Sequence, residues 1–153
     1  MNFENCYYPL TLITMTEAIH EFLSSGSRHK LIVSSSELDG LSYTDIGQSL
    51  SLKIKSESTA SKISLIAQTE LEKIMTDSIY VHKGMVSYIA LKNLGILVEP
   101  DLKLDILAFL SRYSATNPLF IQWKGVIEQD KLHFLTEENG VTINLSSISH
   151  IIA

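Results

Sequence analysis

Lys92, Asn93 and Gly95 follow the apolar run Val86–Leu91, at the place where a parallel α/β sheet presents its chemistry. Carboxylates there would hold a divalent cation and activate water. A lysine, an amide and a glycine supply neither function. The run reads as a buried strand, and Pro100 opens a helix after it. Leu102, Ile106, Leu107 and Leu110 give that helix its buried face. A second apolar strand, Leu119 to Trp123, runs into Lys124-Gly125. Strand, helix and strand across residues 86–125 form the unit from which parallel sheets are built. Trp123 and Lys124 then fall on the same sheet edge. Trp123 suits either an interface anchor or the core. Arg112, near the helix end, suits either contact with a phosphate or a neighbouring subunit, or a charge on the helix C-terminal dipole.

The remaining reactive residue types form no local constellation. His20, His29, His82, His133 and His150 show no ligand spacing such as His-x-x-x-His. Adjacent Glu137 and Glu138 would point to opposite faces of a strand and read as solubilising charges at a hairpin tip. No serine sits in a Gly-x-Ser-x-Gly elbow. Cys6 is the single cysteine, which excludes an intramolecular disulfide and fits a reducing compartment. A net charge of −5 with scattered basic residues argues against direct nucleic-acid binding, and Lys53, Lys55 and Lys62 read as solvated. MNFENCYYP lacks the basic start of a signal peptide, and no apolar run is long enough to cross a bilayer. A soluble, cytoplasmic protein is expected.

The 153 residues suit one domain, spanning 1–153, and 45% hydrophobic content is enough for a core. Leu12, Met15, Ile19 and Phe22 have helical spacing over residues 10–24. Lys30–Ser34 reads as a first buried strand. Leu41–Ile46 predicts a second, ended by Gly47, and Leu50, Leu52 and Ile54 predict a short helix. Ser58 or Thr59 would cap a longer helix over roughly 60–75, with Ile63, Ile66, Ala67, Leu71, Ile74 and Met75 inward and Lys62, Glu70 and Lys73 outward. Asn139-Gly140 predicts a tight two-residue turn in a C-terminal hairpin, with Leu132 and Phe134 facing the side of Val141, Ile143 and Leu145. Ile151-Ile152 is expected to dock.

The segments NLGILVEPDLKLDILAFLSRY, FIQWKG and KLHFLTEENG, with a weaker YTDIGQSLSLKI, resemble the small BrxF-like P-loop proteins of BREX-type phage-defence clusters. The likeness covers about two thirds of the chain. It implies a small P-loop NTPase-like, three-layer α/β domain with a C-terminal β-hairpin. The departures imply loss of chemistry. The family's Gly-x-x-x-x-Gly-Lys-Ser/Thr loop cradles phosphates with backbone N–H groups and a lysine. Here Ser34 to Gly40 has one glycine and no lysine, and only about ten residues separate the first strand from YTDIG. Lys92 replaces the Mg²⁺-side aspartate and Gly95 the catalytic glutamate. The resemblance therefore implies a degenerate member, a pseudo-ATPase with no cofactor, metal or catalytic residue. Such a chain would bind larger protein subunits of a defence complex, with Arg112, Trp123 and Lys124 as candidate interface residues, and leaves room for a homo-oligomer. The alternatives are a regulatory ATPase using Ser34–Gly40 as an atypical phosphate loop, and a mobile-element inhibitor mimicking such a subunit.

Overall fold

Every residue of the strand Leu31–Ser34 (β1) is buried, as an unbroken apolar run requires when both sheet faces are covered. The computed structural model of the chain describes residues 17–57, 62–82, 86–134 and 140–153. β1 pairs in parallel with Leu119–Gln122 (β5) on one side and His150–Ile152 (β9) on the other. Val86–Lys92 (β4) adds in parallel to β5, and Thr44–Asp45 (β2) to the far edge of β4, giving the order β2-β4-β5-β1-β9. Tyr80–His82 (β3) runs antiparallel along the first part of that same edge of β4. The chain is thus α/β with a five-stranded parallel sheet, and β9 docks the terminal isoleucines as expected.

Alternation along the strands sorts the core. Leu31, Val33, Ile89, Leu91, Leu119 and Ile121 face the helices Ile46–Glu57 (α2), Ile63–Asp77 (α3) and Ile106–Thr116 (α4). Ile32, Ala90 and Phe120 face the other way, onto Ile19 and Leu23 of Glu17–Ser24 (α1) and onto Leu38, Leu41 and Tyr43. Burying Ile19 and Leu23 is worth about 1.5–3 kcal/mol each. Between β1 and β2, residues 35–43 form no helix. This connection itself covers part of the second face.

Several expectations are corrected. The second strand keeps only Thr44 and Asp45, because the Asp45 carboxylate accepts the Gln48 N–H and starts α2 there. Gly47 therefore lies inside a helix rather than ending a strand. Leu50, Leu52 and Ile54 are helical, with Leu50 buried and Leu52 on the outer face. Pro100 opens a separate 3₁₀ turn, Pro100–Leu102, and α4 begins only after Asp105, whose carboxylate accepts the Ala108 N–H. Glu70 is buried on the inner face of α3 rather than outward. The expected Ser58 or Thr59 cap and the positions of Leu12 and Met15 lie outside the described residues.

The C-terminal hairpin is part of a three-stranded antiparallel sheet, Val126–Glu128 (β6), Lys131–Phe134 (β7) and Val141–Asn144 (β8). Leu132 pairs with Ile143 and Phe134 with Val141, so those four share a face as expected. The expected turn at Asn139-Gly140 lies outside the described residues. A tight turn is formed by Gln129-Asp130, between Glu128 and Lys131, with Gln129 in the left-handed region at φ 55°.

Candidate functional site

Because β1, β2, β4 and β5 run parallel, Ser34, Asp45, Lys92 and Gln122 end on one edge of the sheet. This is the edge on which open α/β sheets bind ligands. Here the residues bind one another. Asp45 Oδ1 accepts the Gln48 N–H at 2.8 Å and the Asn93 Nδ2–H at 3.0 Å. Burial pushes the Asp45 carboxyl up, but those two donors and the ammonium groups of Lys92 and Lys124 together hold it below its ordinary value. Asn93 occupies the left-handed region at φ 61°, which asparagine tolerates, and so turns the chain sharply after β4. The helix dipole of α2 points its positive end at this carboxylate, so the place of an anion is already filled by the chain.

Lys92, Gln122, Ser34 and two tyrosines then tie the neighbouring loops. Lys92 Nζ lies 3.7 Å from Glu37 Oε1, a partly exposed pair that links the end of β4 to the connection after β1. Gln122 Nε2 reaches the Ser35 carbonyl at 3.4 Å, and Ser34 Oγ donates to the Ser36 carbonyl at 2.7 Å. Tyr43 and Tyr88 accept the N–H groups of Leu38 and Ser42, each at 3.0 Å. Burial pushes the Tyr43 phenol up, against hydrogen bonds from Leu38 and Ser34 that lower it. The connection is pinned across the strand ends rather than looped around an open hollow.

Gly95 is explained by packing. A Cβ on it would lie 2.7 Å from Phe134 Cζ, so this 3₁₀ segment, Leu94–Val98, approaches β7 so closely that a side chain here would have to displace the Phe134 ring. Phe134 in turn meets Trp123 edge to face at 6.0 Å. Trp123 is 2% exposed, and its Nε1–H donates to the His133 carbonyl at 3.1 Å. Gly125 is required beside it, since a Cβ there would strike the same carbonyl. Trp123 is therefore a core staple between the two sheets and not an interface anchor, which corrects that expectation. Lys124 is exposed and contributes charge toward Asp45. The hollow bounded by Asn93, Gly95, Gln122, Lys124 and Phe134 holds about 30 Å³. Ligand pockets typically occupy about 300–1,000 Å³.

Arg112 lies apart from this edge. It sits in the middle of α4, pairs with Glu72 of α3 at 3.3 Å and stacks over Tyr113 at 5.1 Å. It is not in the last turn, so the helix-end dipole reading is corrected. The three residues singled out by sequence are thus dispersed. Among the histidines, His29 Nε2 lies 3.1 Å from Ser111 Oγ, but no carboxylate among the described residues is within ion-pair distance of His29, so nothing orients it as a base. His133 lies 3.4 Å from Glu128, and His150 lies 3.2 Å from Asp130. Among the described residues no group of three or more His, Cys, Asp or Glu side chains could hold a metal, and no helix is long and apolar enough to cross a membrane.

Sequence reasoning missed Asp45, Glu37 and Phe134, which organise the edge. Asp45 was legible as an N-cap from its place before Gln48. The Phe134–Gly95 and Glu37–Lys92 contacts join segments far apart in the chain and carry no local signal. Comparison with protein-family models, curated proteins and solved structures finds no match to this chain.

Proposed function

We propose that this protein is a non-catalytic, protein-binding subunit of a bacterial phage-defence complex, built on a degenerate P-loop-like scaffold. The biological setting comes from the resemblance to BrxF-like proteins. The lack of catalysis is supported by one observation above all: the carboxyl edge of the parallel sheet is closed on itself. Asp45 is committed to Gln48 and Asn93, Lys92 to Glu37, and Gly95 to Phe134, around a hollow of about 30 Å³. The helix-free connection 35–43 agrees with the missing phosphate loop and its helix. A β1 flanked on both sides by parallel neighbours is the arrangement expected of such a scaffold.

Calorimetry with ATP and Mg²⁺ tests the chemistry: no heat of binding at micromolar to millimolar nucleotide is expected. Micromolar affinity would instead favour the regulatory ATPase with Ser34–Gly40 as its phosphate loop. Copurification of the tagged chain with the products of neighbouring genes tests the setting. A chain that remains alone in every such experiment would overturn the docking role.

A further inference from the structure

His150, on β9, places Nε2 3.2 Å from Oδ1 of Asp130, in the β6–β7 turn, and its side chain is only 10% exposed. Its other ring nitrogen, Nδ1, lies 2.7 Å from the Ile148 carbonyl oxygen. A carbonyl oxygen only accepts, so Nδ1 carries a hydrogen and donates it there. That bond fixes the neutral tautomer. Nε2 then holds a lone pair, and the lone pair faces a carboxylate. Protonation of Nε2 turns this unfavourable contact into an ion pair. A flip of the ring would give up the bond to Ile148.

Among the described residues, Asp130 is the one charged group within ion-pair distance of His150. β1, which pairs Leu31 with His150, carries no charged side chain over Leu31–Ser34, and neither does the segment 145–149 leading into β9. On the hairpin itself, Lys131 is exposed and Glu128 lies 3.4 Å from His133 Nε2. The His133 ring differs from His150. Its Nδ1 lies 3.0 Å from the Thr142 hydroxyl, which can donate or accept and so fixes no tautomer. The His150–Asp130 pair also braces a backbone contact. The Leu145 N–H donates to the Asp130 carbonyl at 2.7 Å, and the Ile148 N–H to the Leu145 carbonyl at 2.9 Å. Asp130 thus holds by its main chain the segment whose Ile148 carbonyl orients His150.

We infer that His150 and Asp130 form a proton-dependent clasp between the three-stranded sheet and the β9 edge of the parallel sheet. The imidazolium draws Asp130 in, and the neutral ring repels it and loosens the turn from residues 145–148. Histidine ordinarily changes charge between about pH 5 and pH 8, so the clasp tightens in mild acid and loosens as pH rises. The carboxylate is 61% exposed, so the effect is local and screened by salt. The Trp123–His133 bond joins the sheets in both states, because neither an indole N–H nor a carbonyl titrates in this range.

Amide hydrogen exchange of the full-length chain, read by NMR at about pH 5.5 and about pH 8 and corrected for intrinsic exchange, tests the clasp. The Leu145 N–H reports on it. The Leu119 N–H, which donates to the Lys30 carbonyl within the parallel sheet, reports on global opening. Relative to Leu119, protection of Leu145 should fall about two- to fivefold from the lower pH to the higher, as expected of a partly exposed ion pair. The difference should shrink in about 1 M NaCl. Asp130→Asn, at an exposed position, should remove it, and so should His150→Gln, which keeps a donor for Ile148. Glu128→Gln should leave it in place. Protection of Leu145 that ignores pH, or a pH dependence that persists in Asp130→Asn, would overturn the inference. A pH dependence abolished by Glu128→Gln would assign it to His133 and overturn the inference equally.

Discussion

Gly95→Ala tests whether packing, rather than chemistry, decides the residue after β4. The new Cβ would stand 2.7 Å from Phe134 Cζ and 3.1 Å from Cε2, well inside contact distance. Overpacking of this kind costs about 1–3 kcal/mol. The 3₁₀ backbone at Gly95 accepts alanine, and loss of glycine's freedom in the unfolded chain returns about 0.4–1 kcal/mol. The clashing atom is the far end of a ring, which can tilt toward Trp123, so the net loss should be about 1–2 kcal/mol. For a chain of this size that lowers Tm by about 2–8 °C. Urea titration of the single variants, Gly95→Ala and Phe134→Leu, and of the double variant measures the coupling. The alanine should cost less once the ring is shortened. A Gly95→Ala variant as stable as the native protein, or single losses that simply add, would refute the packing account. Gly95→Glu, which restores the carboxylate of the resembled family, should be destabilised more and should gain no ATP hydrolysis.

Three further perturbations follow from the same geometry. Trp123→Phe leaves the His133 carbonyl without its indole donor and should cost about 1–3 kcal/mol in urea unfolding; no loss would mean that the Trp123–His133 bond contributes nothing. The Asp45 carboxyl is held below its ordinary value in the folded state, so its contribution is present above the unfolded pKa and is lost as pH falls through the folded value. Stability should therefore decline in acid below about pH 4, with a shallower slope in Asp45→Asn, as followed by thermal melts across pH. Arg112→Ala breaks a pair exposed by 64% and 63% and the stacking over Tyr113, so Tm should move within the equivalent of about 1 kcal/mol; a larger loss would show that the arginine does more than meet Glu72 and Tyr113.

Legibility in the sequence followed the range of the interactions. The strands at 31–34, 86–92 and 119–122 announced themselves as apolar runs, and α3 as a stripe at helical spacing, because both signals are written in neighbouring residues. Glu70 read as a surface charge, yet the outer face of α3 is elsewhere. At the edge of the sheet, the sequence identified Lys92 and Gly95 as unsuited to holding a metal or activating water. It did not disclose their partners.

By itself, the sequence determined the class of architecture and the absence of phosphate-loop and acidic motifs, since residue type and near-neighbour spacing suffice for both. Only the tertiary structure decided that Trp123 is buried, that Arg112 lies away from the strand ends, and that Asp45, Glu37 and Phe134 close the edge. Those outcomes depend on contacts between segments tens of residues apart, which form only when the parallel sheet brings the ends of its strands together.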